Sequence, residues 1–344
     1  MQSNSDLRIP ITVLTGFLGS GKTTVLRHLG QVGALERTLI LVNEFGEVGL
    51  DHELLTPIDD DMLVAVSSGC ICCSIRSDLV KTLKEAPWRF ARDGVRWFDR
   101  VIVETTGIAD HAPILQTIIG EEAVASRYEL SSVLTDVDSV NGLNALRSHF
   151  EAVKQVAVAD RILLTKTDLS GFGHEALTQE LQNLAPGVPI STVVDGGADP
   201  AWFLDASNKS AADLQIRLEN ELAANSMIAA NPSASAKRDE SRHGPVIASV
   251  LIFEEAVDPA LFELCLETLM QFRGPDLLRV KGIINVEGMD RPMTIHGVQH
   301  VFHPPEVLER WPSEDRRTKV VFIARDLDHA ELRSCFSALG LEAV

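Results

Sequence analysis

Cysteine is scarce in this sequence: five residues in 344, an odd number. That excludes a disulfide framework, which a chain of this length would need in larger and even supply. Long apolar runs are missing as well. None approaches the roughly 18 residues of a membrane-spanning helix, so no membrane segment is expected. The polar start, Met1 to Arg8, is followed by an apolar stretch too short for a signal peptide and its cleavage site. The expected compartment is the cytoplasm, where thiols stay reduced. Positive charge is the third shortage: Lys and Arg number 31 against 49 Asp and Glu, a net charge of −18. Phosphate backbones repel such a surface, so nucleic acid is not expected as a partner. No single acidic tail masks a basic domain, because residues 244–344 alone hold 16 acidic and 10 basic side chains. Internal repeats are also lacking.

What is present reads as ordinary globular material, 45% hydrophobic and 23% charged, long enough for about two domains. Over the first 170 residues, short apolar runs alternate with amphipathic segments. Ile9–Leu14, Thr38–Val42, Met62–Val66, Arg100–Val103, Ser132–Asp136 and Arg161–Thr165 read as buried strands. Continuous apolar strands separated by helices predict an α/β fold with a mainly parallel sheet, and ligand at the carboxyl ends of the strands. Between Asn225 and His243 the composition turns to Ser, Ala, Asn and charge, which predicts a flexible linker, 225–243, after a first domain, 1–224. The remainder, 244–344, reads as a smaller α+β domain. Its strands are Val246–Phe253, Leu277–Val286, Met293–Phe302 and Thr318–Ala324, with helices at Asp258–Phe272 and Ala330–Leu339.

Gly16-Phe-Leu-Gly19-Ser20-Gly21-Lys22-Thr23 fits G-x-x-x-x-G-K-[ST], between a predicted strand and a predicted helix. The glycines let consecutive N–H groups turn inward toward phosphate oxygens, and the helix N-terminus adds partial positive charge. Lys22 is expected at the β- and γ-phosphates, the Thr23 hydroxyl on Mg²⁺ and Thr24 at the α-phosphate. The first domain is therefore expected to be a phosphate-loop NTPase.

Arg161–Thr165 runs into Thr165-Lys166-Thr167-Asp168. Guanine offers two donors, N1–H and its amino group, on one edge, and a single carboxylate can accept both; adenine has no such pair. Asp168 is the expected reader, with the Lys166 stem over the base. Val101–Glu104 is a further apolar strand ending in an acid, followed by Thr105-Thr106-Gly107. Glu104 is expected to hold Mg²⁺ through a water, and the Gly107 N–H to sense the γ-phosphate. The other reading of Glu104 is a cap for the helix at Ala112.

Three of the five cysteines stand within four residues, Gly69-Cys70-Ile71-Cys72-Cys73. Thiolates are soft ligands that suit Zn²⁺ or Cu⁺, and three protein ligands leave a fourth position open for exchange. Upstream, Asn43-Glu44-Phe45-Gly46-Glu47 offers carboxylates to complete the shell. A redox thiol site and buried structural cysteines are the alternatives. The cluster follows the Met62–Val66 strand, so one set of loops would feel both nucleotide and metal, and each ligand would then alter the affinity for the other.

GFLGSGKTT at 16–24, NEFGEVGLD at 43–51, GCICC at 69–73, ETTGIAD at 104–110 and TKTD at 165–168 together resemble the CobW-type GTPases, relatives of the UreG and HypB nickel chaperones. LLRVKGIINVEG, HGVQHVFHPP and TKVVFIARDLD resemble that family's C-terminal domain. The resemblance implies a slow GTPase that binds GTP and GDP with Mg²⁺ and loads a transition metal into a client metalloprotein. Zn²⁺ is its commonest cargo, with Co²⁺ or Fe²⁺ in some branches; a homodimer is a further possibility. By position it makes Cys70, Cys72 and Cys73 the metal ligands and Glu47 an auxiliary ligand or switch residue. It makes Gly19 to Thr24 the phosphate binders, and Lys166 with Asp168 the guanine site. Val42 stands where some members carry a carboxylate, and the linker holds only His243 where zinc-linked members have many histidines. If 293–302 is one strand, His296 and His300 share a face and His303 lies on the other, so these histidines read as structural or client-facing. A phosphate-loop kinase or synthetase for a small molecule is the competing function, and a non-catalytic scaffold stabilised by GTP is the third.

Overall fold

The computed structural model describes residues 8–44, 63–67, 74–108, 111–169, 174–204, 244–299, 301–311 and 313–344. Glu47, Cys70, Cys72, Cys73, the linker 225–243 and His300 lie outside the described residues. The chain divides into two compact units. The first takes in Met1–Leu146, Ala159–Leu177 and Pro189–Asn208, and the second Arg147–Val158, Thr178–Val188 and Lys209–Val344.

The first unit is built on a parallel sheet. Its strands are β1 (Ile9–Gly16), β2 (Thr38–Glu44), β3 (Leu63–Ser67), β4 (Arg100–Glu104), β5 (Tyr128–Asp138), β6 (Arg161–Thr165) and β7 (Ile190–Thr192), in the order β3-β2-β4-β1-β5-β6-β7. Every described pairing in it is parallel. That is the arrangement the continuous apolar runs demand, since both faces of such strands must be covered. β1 is central and buried along nearly its whole length. The helix after it, α1 (Lys22–Gln31), packs Val25, Leu26 and Leu29 on Leu14, Ile102 and Leu134 of three strands. β5 extends beyond the apolar run Ser132–Asp136 at both ends, because Tyr128 and Asp138 also pair along the sheet. The short β7 was not legible: Ile190–Thr192 alternates with no apolar run around it.

The second unit has an antiparallel sheet. Its path is β8 (Val246–Phe253), β13 (Thr318–Arg325), β9 (Leu277–Ile284), β10 (Met293–Val298) and β11 (Val301–Phe302), with β12 (Glu306–Val307) also on β10. One face carries a helix at Pro259–Arg273, capped by Asp258 through the Ala260 and Leu261 N–H groups, and another at His329–Ser337. Phe253, Phe262, Phe322 and Phe336 meet there. Leu278 and Ile323 point to the opposite face and pack with Phe150 and Ala157, so the helix Phe150–Ala157 belongs to this sheet. The expected strand 293–302 is instead two paired strands, which corrects the face assignment of His296 and His303. Gln299 takes φ 52 at the turn, and Gly297 pairs with Phe302. His296 and His303 consequently stack, with ring centroids 4.7 Å apart and planes within 5°. No helix among the described residues is long and apolar enough to cross a membrane.

Candidate functional site

Parallel strands end on one edge, so the loops after β1, β4, β5 and β6 converge there. Gly16, the last residue of β1, has φ 145, and a Cβ there would come within 2.4 Å of the Asp136 carbonyl oxygen. Only glycine lets the chain leave the strand at this point. The loop then leads into the start of α1, and the first turn of a helix is a favourable setting for an anion. Lys22 is buried and turned back on the loop: its Nζ donates to the Gly16 carbonyl at 2.7 Å and to that of Phe17 at 3.4 Å.

The remaining strand ends lock onto this loop. The Thr23 hydroxyl donates to Glu104 Oε1 at 3.4 Å, and Glu104 is 4% exposed. Glu104 therefore stands beside Thr23 and does not cap the helix at Ala112–Gly120, whose N-cap residue is His111. A hydroxyl and a buried carboxylate at one point are hard oxygen donors and fit Mg²⁺. Thr105 donates to the Thr15 hydroxyl at 2.9 Å, fixing the turn after β4. That turn brings Gly107 against the loop, where a Cβ would stand 2.6 Å from the Leu18 nitrogen. On the other side, the Thr165 hydroxyl donates to the Ser20 carbonyl, and to that of Val137 at 3.2 Å. The T-K-T-D segment is thus tied to the phosphate loop through its first residue.

Lys166 adopts φ 58, and its ammonium bonds Asp138 Oδ2 at 2.9 Å. Burial pushes the Asp138 carboxyl up, but Lys166, the Asn141 side chain and the Val140 and Asn141 N–H groups outweigh it and hold it below the usual carboxylate range. Asp168 is exposed beside them. Thr24 is exposed too, next to Gly196, whose added Cβ would meet the Thr24 carbonyl oxygen at 2.7 Å. The structure thus brings Gly16, Gly19, Ser20, Gly21, Lys22, Thr23, Thr24, Glu104, Gly107, Lys166 and Asp168 to one edge of the sheet.

Sequence reasoning missed Asp136, Asp138 and Gly196. Asp138 carried a faint signal, an acid closing an apolar strand two residues after another acid. Asp136 is 1% exposed, and neither carboxylate oxygen has a hydrogen-bond partner among the described residues. Burial pushes its carboxyl well above the usual range, with Lys22 pulling down and Glu104 adding to the rise. Among the described residues no group of three or more His, Cys, Asp or Glu could hold a metal ion.

The model of the CobW/HypB/UreG nucleotide-binding domain matches residues 10–192, and that of the cobalamin synthesis protein cobW C-terminal domain matches residues 246–339. The chain is 31% identical over 332 residues to the zinc chaperone YjiA of Escherichia coli (strain K12), covering 96% of this chain and 98% of that protein. It is 27% identical over 361 residues to the zinc chaperone CobW of Sinorhizobium sp, covering 96% and 97%. The crystal structure of Zn(II)-bound YjiA GTPase from E. coli superposes with a TM-score of 0.64 at 28% identity, covering 96% of this chain and 99% of that one.

Proposed function

The chain belongs to the CobW/HypB/UreG family, and from that premise we propose that it couples binding and hydrolysis of GTP to the binding of Zn²⁺ and its delivery to a client metalloprotein. It is a GTPase. The observation that supports the nucleotide half of this reading is the Thr165–Ser20 hydrogen bond, which ties the T-K-T-D segment to the phosphate loop. On this reading the phosphates lie on the α1 N–H groups and draw the Lys22 ammonium from the loop carbonyls to the β- and γ-oxygens. Thr23 and Glu104 hold Mg²⁺, which would neutralise phosphate charge. Asp168 accepts both guanine donors, and the Lys166 stem covers the base, steadied by Asp138. Gly107 leaves room for its own N–H to reach the γ-phosphate.

The metal half rests on chemistry and order along the chain. Cys70, Cys72 and Cys73 stand in sequence between Ser67, where β3 ends at the nucleotide edge, and Ser74, which opens the next helix. Glu47 follows β2 in the same way. Three thiolates with an auxiliary carboxylate suit Zn²⁺, which can be taken up and released while a coordination position stays open. The zinc-chaperone names of two full-length relatives support zinc over Co²⁺ or Fe²⁺. The cytoplasm, where thiols stay reduced, is the compartment this chemistry requires.

Isothermal titration of the full chain with Zn²⁺, once with a non-hydrolysable GTP analogue and once with GDP, tests the coupling. Zinc affinity is expected to differ at least fivefold between the two states, the low end of ordinary coupling energies, and Cys72→Ala is expected to abolish tight binding of one Zn²⁺. Equal affinity in both states would sink the coupling, and an unchanged Cys72→Ala protein would remove the site. Loss of GTP hydrolysis unless a small-molecule acceptor is added would favour the kinase reading instead.

A further inference from the structure

Asp136 has no part in the nucleotide site as read above, and the fold does not require it. Its strand places Leu134 in the core under α1, and Asp136, two residues on, shares that face directly below the phosphate loop. It pairs in register with Gly16, and a Cβ at Gly16 would stand 3.1 Å from its own Cβ. The charged groups facing it are Lys22 of α1 and Glu104 of β4. Glu104, on the strand beyond β1, adds to the rise of the carboxyl, whereas Lys22 opposes it. A buried carboxyl bonded to nothing is destabilising, and an apolar residue of similar size would serve the core better.

We propose that Asp136 is a positioning residue that draws the Lys22 cation down toward the sheet and so loosens the grip of the phosphate loop on guanine nucleotide. Among the described residues Lys22 approaches this carboxyl at Gly16, whose carbonyl accepts from Lys22 Nζ at 2.7 Å and which opposes Asp136 in register. When phosphates enter, Lys22 swings away to them, and the carboxyl loses its countercharge while gaining anions overhead. It must then bear the repulsion or take up a proton, and either outcome subtracts from affinity. The consequence is faster release of GDP, which suits a switch that must reload. The inference rests on the phosphate loop being the guanine-nucleotide site.

The test compares wild type with Asp136→Asn, an isosteric change that keeps the volume and removes the charge. Fluorescence titration and stopped-flow release of a fluorescent GDP analogue, with Mg²⁺, are read at pH 6.5 and pH 8. The variant is expected to bind GDP about tenfold more tightly at pH 8, mainly through slower release, with a smaller gap at pH 6.5. A merely structural role predicts the reverse, weaker binding and a lower melting temperature. Equal or weaker affinity of a folded variant at both pH values overturns the proposal. Should Asp136→Asn fail to fold, the same titrations on Asp136→Leu, an apolar side chain of similar size, decide: tighter GDP binding at pH 8 than wild type supports it, and equal or weaker binding overturns it. A wild type that binds no guanine nucleotide would instead overturn the reading of the site itself.

Discussion

At the scale of single residues, this site is made by what glycine omits as much as by what charged side chains supply. Gly107 is the clearest case. Its own backbone is ordinary, yet a methyl group there would press into the Leu18 nitrogen and Cα at 2.6 and 2.7 Å, both main-chain atoms that cannot yield without moving the loop. Gly107→Ala is therefore expected to fold, because the clash is confined to the loop edge, but to lose GTPase activity by 10²-fold or more, the typical effect of displacing one transition-state donor. Steady-state phosphate release together with a melting curve checks this; a variant retaining wild-type turnover would show that the turn after β4 does not set the γ-phosphate position. The phosphate loop and T-K-T-D could be recognised in the sequence because their chemistry is contiguous. Asp136 and Asp138 could not, since they acquire meaning only when β5 is laid beside β1 and β6 and their carboxyls come up under Lys22 and Lys166.

At the scale of elements, strand ends are the working parts, and β5 shows how two adjacent acids on one face are given different states. Among the described residues Asp136 meets no donor and is pushed up by burial, whereas Asp138 meets four donors and is held below the ordinary carboxylate range. A depressed value means that the stabilisation is fully present above the unfolded value near 4 and is lost as pH falls through the folded one. Lys166 thus keeps its countercharge throughout pH 5–8. Asp138→Asn keeps an oxygen for the Val140 and Asn141 backbone N–H groups but loses the oxygen that accepts from the Asn141 side chain and Lys166, and so frees Lys166. A charged hydrogen bond that is one-third exposed on the Lys166 side contributes about 1 kcal/mol after screening. GDP binding is accordingly expected to weaken about fivefold, by a ratio constant between pH 5 and 8; a ratio that changes with pH in this window would show that Asp138 titrates there. The apolar runs located most strands correctly because a fully covered parallel strand is a continuous run. They failed at 293–302, where polarity alone could not reveal that Gln299 reverses the chain, and at Ile190–Thr192, which is too short to stand out.

At the scale of the whole chain, composition pointed to two domains with a boundary in 225–243, and the C-terminal sheet does have its own aromatic core on one face. The other face is what the sequence concealed. Leu278 and Ile323 are covered by Phe150 and Ala157, from a helix that lies between β5 and β6 in sequence. Arg325 stacks on the Phe150 ring with its guanidinium carbon 4.5 Å from the centroid. Phe150–Ala157 is an amphipathic helix, but its sequence alone cannot show which sheet its apolar side meets. Phe150→Ala should therefore destabilise the C-terminal sheet, by about 2–3 kcal/mol, below the range for a fully buried ring because this one is only half-buried. The same contact bears on cutting the chain at the linker. A 1–224 fragment leaves Phe150 and Ala157 without Leu278 and Ile323, and 244–344 alone leaves the latter pair bare. Each fragment is expected to melt below the intact chain, and 1–224 is expected to aggregate through the uncovered helix. Denaturant unfolding followed by circular dichroism, with light scattering on the fragments, measures both effects. A 1–224 fragment as stable and monodisperse as the full chain would mean that the helix needs no cover from the C-terminal sheet.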